Sequence, residues 1–309
     1  IDIVPLMNKF DNHVATNIPM NRAWKAEIRF LRAHFYFEMV KRYGGVPLVG
    51  DIPFELDDNL ELPRSTFEQC ITYIVDELDA IKDSLRTLPL PNPSSDAHVV
   101  TREAALAFKS RVLLYAASPL FNESPAEKGN ALVGYANYDK ERWKKAADAA
   151  NSFITNCPHI RLADNYKEVF LNHYGENNPE LIFFHQAHDQ KEIEQNNGPV
   201  GFSGENQGKG RTSPTQNLVD AFPMLDGKPI GESSKYPYSY TNMYKDRDPR
   251  FEMTILHNGS KWLNKDLETY EEGINNPAGS NQKTKTSYYM RKFMGNFENS
   301  NVYDNTLHL

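Results

Sequence analysis

The fold turns on residues 26–49, A-E-I-R-F-L-R-A-H-F-Y-F-E-M-V-K-R-Y-G-G-V-P-L-V. At about 100° per residue, Trp24, Ile28, Leu31, Phe35 and Met39 fall on one side of a helix. Ala23, Ala26, Phe30, Ala33, Phe37 and Val40 gather almost opposite. Two narrow polar strips separate them, Lys25/Arg29/Arg32 and Glu27/His34/Glu38/Lys41. An ordinary surface helix needs one apolar stripe, and a helix apolar on most sides is buried. Two apolar faces with charged edges suit a helix sandwiched between neighbours, as in stacked helix pairs. Gly44-Gly45 supply a left-handed C-cap and Pro47 bars continuation. The segment is therefore expected in the middle of a helical layer.

Outward from it, the chain to residue 157 reads as helices joined by loops. Ser65-Thr66-Phe67-Glu68 reads as a capping box of Ser65 with Glu68, opening a helix over 65–86. Phe67, Ile71, Ile74, Leu78, Ile81 and Leu85 then recur at three- and four-residue spacing. A breaker-rich connector covers 87–100. Thr101 is the expected N-cap of the next helix, with Glu103 in its first turn and Pro119 at its end. A fourth helix is expected over 140–155, capped by Asp139, with Trp143, Ala146, Ala147, Ala150 and Ile154 facing inward. Small contact residues and double-faced helices predict a mainly α fold of helix pairs in layers. No period near 34 residues is visible, so a regular repeat array is not established from the residues alone.

Past residue 160 the character changes. Twelve of the 17 glycines lie there, among frequent Asn, Pro, Ser and Tyr. Leu181–Phe184 and Phe251–Leu256 are the short strands expected, the second followed by an Asn258-Gly259 turn. The division is thus a helical scaffold over 1–157 and a loop-rich, ligand-facing region over 158–309 of the same domain. Long loops on a rigid scaffold are where binding residues tend to sit.

The 309 residues are 39% hydrophobic and 24% charged, enough for a substantial core. A net charge of −7 with scattered Lys and Arg argues against nucleic acid, which needs a basic footprint. No run approaches the roughly 18 apolar residues of a spanning helix. Cys70 and Cys157 read as buried free thiols, a disulfide being the alternative. The start at Ile1 and the end at Leu309 read as a mature or partial chain.

Catalytic motifs are near misses. Gly201-Phe202-Ser203-Gly204-Glu205 lacks the second glycine of a nucleophile elbow. Gly204-Glu205-Asn206-Gln207-Gly208-Lys209-Gly210 is one residue short of a P-loop and reads as a glycine-rich turn. His185-Gln186-Ala187-His188-Asp189 follows a strand-like run, where the histidines would point apart, and no further ligands stand at zinc spacing. Asp246, Asp248 and Asp266 lack an EF-hand frame. No metal or cofactor is expected. A carboxylate pair for glycoside hydrolysis is defined by separation in space and is not read from sequence.

Aromatics stand out: 16 Tyr, 17 Phe and three Trp. Tyr236, Tyr238, Tyr240, Tyr244, Trp262, Tyr270 and Tyr288-Tyr289 sit in polar, loop-like surroundings. Ring faces for C–H surfaces beside polar groups for hydroxyls are what a sugar groove requires. Trp262, Tyr236, Tyr238 and Tyr240 are the candidate ligand-binding residues. The competing reading is that these rings anchor loops to the scaffold.

The opening stretch resembles the signature segment of the SusD/RagB family, and T-R-E-A-A-L-A-F-K-S-R-V-L-L-Y-A-A-S-P-L-F-N at 101–122 resembles its second strong motif. Y-D-K-E-R-W-K-K-A-A-D-A-A, N-P-E-L-I-F, S-P-T-Q-N-L-V-D-A-F-P-M-L-D-G, D-R-D-P-R-F-E-M-T-I and R-K-F follow in collinear order. The resemblance implies tetratricopeptide-like helix pairs supporting a loop-rich region. It implies a non-catalytic surface lipoprotein of the outer membrane that passes glycans, or in some members peptides, to a TonB-dependent SusC-like barrel. The family's lipidated N-terminal cysteine and early helices, and the helical segment after R-K-F, are not in this sequence. Ligand residues do not transfer between members. Glu27, Arg29, Arg32, Tyr43 and Pro47 match motif positions and are assigned to structure. The favoured function is oligosaccharide capture, with an oligopeptide receptor or a protein-binding helical scaffold as alternatives.

Overall fold

The signature segment forms one continuous helix, α1 (Met20–Tyr43), in a computed structural model that describes residues 20–51, 53–88, 99–123, 127–171, 178–184 and 190–305. Its alanine-rich face is buried through Ala23, Ala26, Phe30, Ala33, Phe37 and Val40. The small residues let α2 (Phe67–Ile81) approach closely. The opposite face departs from expectation. Ile28, Leu31, Phe35 and Met39 are exposed, Phe35 by 62%, so α1 is covered on one side only among the described residues. The physical reason is that, among the described residues, the aromatic core forms on the alanine side, where Phe30 and Phe37 meet Phe108.

α2 packs on α1 and on α3 (Arg102–Ala117), and α3 packs on α4 (Glu141–Asn156). Phe67, Cys70, Ile71, Ile74, Leu78 and Ile81 are all buried as the spacing predicts. The capping box exists one residue later than expected. Thr66 Oγ1 accepts from the Gln69 amide at 3.2 Å, and Gln69 Oε1 accepts from the Thr66 amide at 2.8 Å. Thr101 caps α3 as expected, accepting from the Ala104 amide. At α4 the Asp139 carboxylate does accept from the Glu141 amide at 2.9 Å, but of the expected inner face only Ala146 is buried. Trp143 is 40% and Ile154 67% exposed, because the close packing of α4 is against α3, through Ala146.

Most charged residues on the polar strips of α1 are ion-paired. Arg29 binds Glu77 on α2 bidentately, at 2.7 and 2.9 Å, and Arg32 donates to the same carboxylate at 3.1 Å. Arg32 also reaches the Gly50 carbonyl and Asp51, and Glu27 accepts from Arg86. The two arginine bonds hold the Glu77 carboxyl below its usual range. At the end of α1, the Gly45 amide donates to the Leu132 carbonyl and Arg64 donates to the carbonyls of Tyr43 and Gly45. Three separate segments thus meet on the glycine pair.

These elements belong to a compact unit of Ile1–Arg161 with Leu181–Phe184. Leu181–Phe184 is not a strand. Ile182 packs on the helical core, and Phe183 meets Phe30 edge-on at 5.4 Å. Cys70 and Cys157 are buried and free, and burial raises both thiol pKa values.

The second unit is Leu162–Glu180 with His185–Leu309. Its described elements are short: α5 (Glu192–Asn197), α6 (Gln216–Ala221) and α7 (Pro249–Thr254), with strands β1 (Ile255–Leu256), β2 (Lys261–Trp262), β3 (Lys265–Asp266) and β4 (Tyr289–Met290). The expected strand Phe251–Leu256 is mostly helix. Asp248 caps α7 by accepting from the Arg250 amide and Pro249 occupies its first turn, leaving only Ile255-Leu256 to pair antiparallel with β4. β2 and β3 form a hairpin whose two turn residues, Leu263 and Asn264, both have positive φ. Its core gathers Trp262, Leu263, Leu267, Tyr289, Phe297 and Tyr303. The fold is mainly α, with tetratricopeptide-like helix pairs and only short strands.

Candidate functional site

The site begins with a backbone anchor. Arg247 is 5% exposed, and no carboxylate pairs with it among the described residues. Its guanidinium donates to the carbonyls of Met243 (2.8 Å), Val219 (2.6 Å) and Phe222 (2.7 Å), and lies over the Phe251 ring. Burial pulls its pKa down. Through Met243 this arginine fixes the short 3₁₀ turn Tyr240–Asn242 from beneath.

Above that anchor is an open cavity of about 620 Å³. One wall is the continuous run Tyr240 to Lys245; the other brings in Asn258, Thr269, Tyr270 and Ser287. Tyr240 is 84% and Tyr270 55% exposed, so each offers a ring face to solvent. Tyr244 is half-buried, stacked on His257 with centroids 3.9 Å apart. Its hydroxyl donates to Tyr288, which donates to Gln216 Oε1 at 2.8 Å, and burial pushes its phenol pKa up. The far wall is tied by hydrogen bonds too. Asn258 Oδ1 accepts from the Thr269 amide, Asn276 donates to the Thr269 carbonyl, and the Tyr270 hydroxyl donates to Glu268. The lining supplies amides, hydroxyls and one ammonium, and no carboxylate.

Of the four candidate residues, Tyr240 alone lines this cavity. Tyr238 meets Tyr240 edge-on at 6.0 Å and rests near Arg247, so it supports the exposed ring. Tyr236 is half-buried, its amide donating to Ser233 and its ring lying under Lys235. Trp262 is a correction. It is fully buried, with its indole N–H donating to Tyr303 at 2.8 Å and Arg291 over its ring, so it has no face for a ligand. The strand pleat explains it: in β2 Lys261 points out and Trp262 in. Asn242, Asn258, Thr269 and Ser287 escaped the sequence reading, being single polar residues brought together from distant segments.

The run His185–Asp189 lies outside the described residues. Asp248 caps α7 and pairs with Arg250, and no group of three or more metal-ligating side chains is found among the described residues.

The described residues thus make a helical unit and a loop-built unit, the second carrying an open, tyrosine-lined polar cavity. Residues 179–307 match the model of the SusD family, and residues 7–114 match a model described as starch-binding associating with outer membrane. The chain belongs to the SusD/RagB family. A SusD-like protein from Bacteroides fragilis shares 26% identity and a TM-score of 0.66, over 92% of this chain and 52% of that one. A SusD-like carbohydrate binding protein from the same organism shares 23% and 0.67, over 95% and 52%. A structure solved with a xylogluco-oligosaccharide shares 17% and 0.55, over 94% and 49%. The chain spans about half the length of these solved structures. No protein of curated function matches it.

Proposed function

We propose that the protein captures an oligosaccharide in the Tyr240/Tyr270 cavity and passes it to a TonB-dependent SusC-like transporter of the outer membrane. The observation that carries this reading is the pair of exposed tyrosines on a backbone fixed by Arg247 and Asn258. Flat faces accept the C–H surfaces of a sugar, and Asn242, Asn258 and Ser287 offer both donors and acceptors to hydroxyls. Preorganisation keeps the ordering cost of binding low. Capture without hydrolysis suits the cavity, whose lining lacks the two carboxylates a glycosidase places across the scissile bond. The descriptions of the two relatives, one a carbohydrate binding protein and one holding a xylogluco-oligosaccharide, support the ligand class.

On this reading the helical segment to residue 157 is the scaffold, and 158–309 presents the ligand. A place at the cell surface, held by a lipid anchor, is part of the same proposal, which the matched model's association with the outer membrane supports. The test is affinity electrophoresis through neutral polysaccharide gels, with a peptide library as the parallel arm. Retardation by at least one polysaccharide, lost in Tyr240→Ala, is expected. Binding of peptides alone would overturn the saccharide reading.

A further inference from the structure

Two stretches of the second unit cross one another beside the tyrosine cavity. One ends the glycine-rich run as Gly208-Lys209-Gly210-Arg211, and the other is Asn281-Gln282-Lys283-Thr284-Lys285. At the crossing Gly210 is buried with φ +56°. A Cβ there would lie 2.9 Å from the Lys283 carbonyl carbon and the Thr284 amide nitrogen, so only glycine allows this approach. The crossing is tied by the Lys285 amide donating to Ser213 Oγ (3.0 Å) and Thr286 Oγ1 donating to the Pro214 carbonyl (2.6 Å).

Gly210 and Thr284 are buried, and their chain neighbours Lys209, Arg211, Lys283 and Lys285 line one pocket of about 320 Å³. The amides of Asn281 and Gln282 complete its wall, and no carboxylate lines it. Lys209 Nζ reaches the Asn196 amide oxygen at 3.3 Å, and Lys285 Nζ the Asn281 carbonyl at 3.2 Å. Among the described residues the side chains of Arg211 and Lys283 make no hydrogen bond or ion pair. Four cations thus gather with no carboxylate among the lining, in a chain that carries seven more acids than bases. An anion in the pocket would find charged donors on both stretches.

The pocket adjoins the site already described. Lys285 lines one and Ser287 the other, so their Cα atoms are within about 7 Å. We propose that the basic pocket holds the carboxylate or sulfate group of an acidic oligosaccharide whose neighbouring sugar rests against Tyr240 and Tyr270. The inference rests on the oligosaccharide reading above. The net charge of −7 speaks against a polynucleotide as the occupant.

The test is calorimetry with an oligogalacturonate, a sulfated heparin-derived oligosaccharide and a neutral xylogluco-oligosaccharide. Each is titrated into the wild type and into Lys283→Glu/Lys285→Glu. A bond to a charged group is worth about tenfold in affinity, so at least one acidic probe should bind about tenfold more tightly than the neutral one. That advantage should shrink as salt is raised and vanish in the double variant. Neutral-probe affinity should stay within about twofold of wild type, which also reports that the variant is folded. Which acidic probe prevails separates carboxylate from sulfate recognition. Equal affinity for acidic and neutral probes, with binding dependent on Tyr240, overturns the inference and leaves oligosaccharide capture standing. Absence of binding by any saccharide overturns both. A single-stranded oligonucleotide that binds more tightly than either acidic probe, and is lost in the same variant, overturns the inference in favour of nucleic acid.

Discussion

Gly44 and Gly50 share a backbone conformation, with φ of +72° and +70°, and differ in what surrounds them. An alanine Cβ at Gly50 would meet nothing within 4 Å, whereas at Gly44 it would lie 2.2 Å from the Leu132 carbonyl oxygen and 2.9 Å from Val133 Cα. Both substitutions carry the left-handed penalty of an L residue, about 1 kcal/mol. Only Gly44→Ala must also push a neighbouring backbone away by roughly 1 Å, an overpacking cost of about 1–3 kcal/mol. The displaced segment holds the Gly45 amide to Leu132 O (2.6 Å) and the Phe67 amide to Ala131 O (2.8 Å). Weakening those bonds adds about 1 kcal/mol. Gly44→Ala should therefore cost about 3–5 kcal/mol and Gly50→Ala about 1 kcal/mol. Urea unfolding followed by far-ultraviolet circular dichroism reports the helical unit and measures both. Equal destabilisation by the two would refute the close approach as the reason for the glycine pair.

Other expectations follow from buried groups. Glu77 has a folded pKa below its unfolded one, so the stability it confers is present above pH of about 4.5 and lost as pH falls through the folded value. Glu77→Gln should flatten that acid limb in pH-dependent unfolding and cost about 1–3 kcal/mol at neutral pH, leaving two part-buried arginines short of a partner. Trp262→Ala should cost about 3–5 kcal/mol, and Trp143→Ala, on an exposed helix face, about 0.5 kcal/mol or less, by the same denaturation assay. Cys70 and Cys157 are buried with raised thiol pKa values, so a thiol-specific reagent should label neither until denaturant is added.

What was legible in the sequence was local. α1 and α3 carry their periodicity and end signals within one segment, and Cys70 lies within a core stripe that alone predicts its burial. The cap of α2 slipped by one because Ser65 and Thr66 are chemically equivalent. What selects Thr66 is Phe67, which must stack on Phe121, a residue 54 positions away, at 4.6 Å. Phe251–Leu256 looked like a strand by its apolar content, while the Asp248-Pro249 pair just before it was the helix signal to weigh. Trp262 looked like a loop aromatic because Lys261 and Asn264 flank it. Its burial depends on Tyr303, 41 residues on, and no local pattern carries that. The cavity was legible only in part for the same reason. Tyr240, Tyr244 and Tyr270 stand out as rings in polar surroundings, but their meeting with Asn258 and Ser287 is a product of the β1–β4 pairing and the turns around it.

The most direct test of the central claim is the position of a bound sugar. Crystals of the protein soaked with an oligosaccharide that retards it in affinity gels should show density in the 620 Å³ cavity, with a pyranose ring against Tyr240 or Tyr270 and hydroxyls within hydrogen-bond distance of Asn258. A sugar bound elsewhere, with both tyrosines bare, would contradict the account.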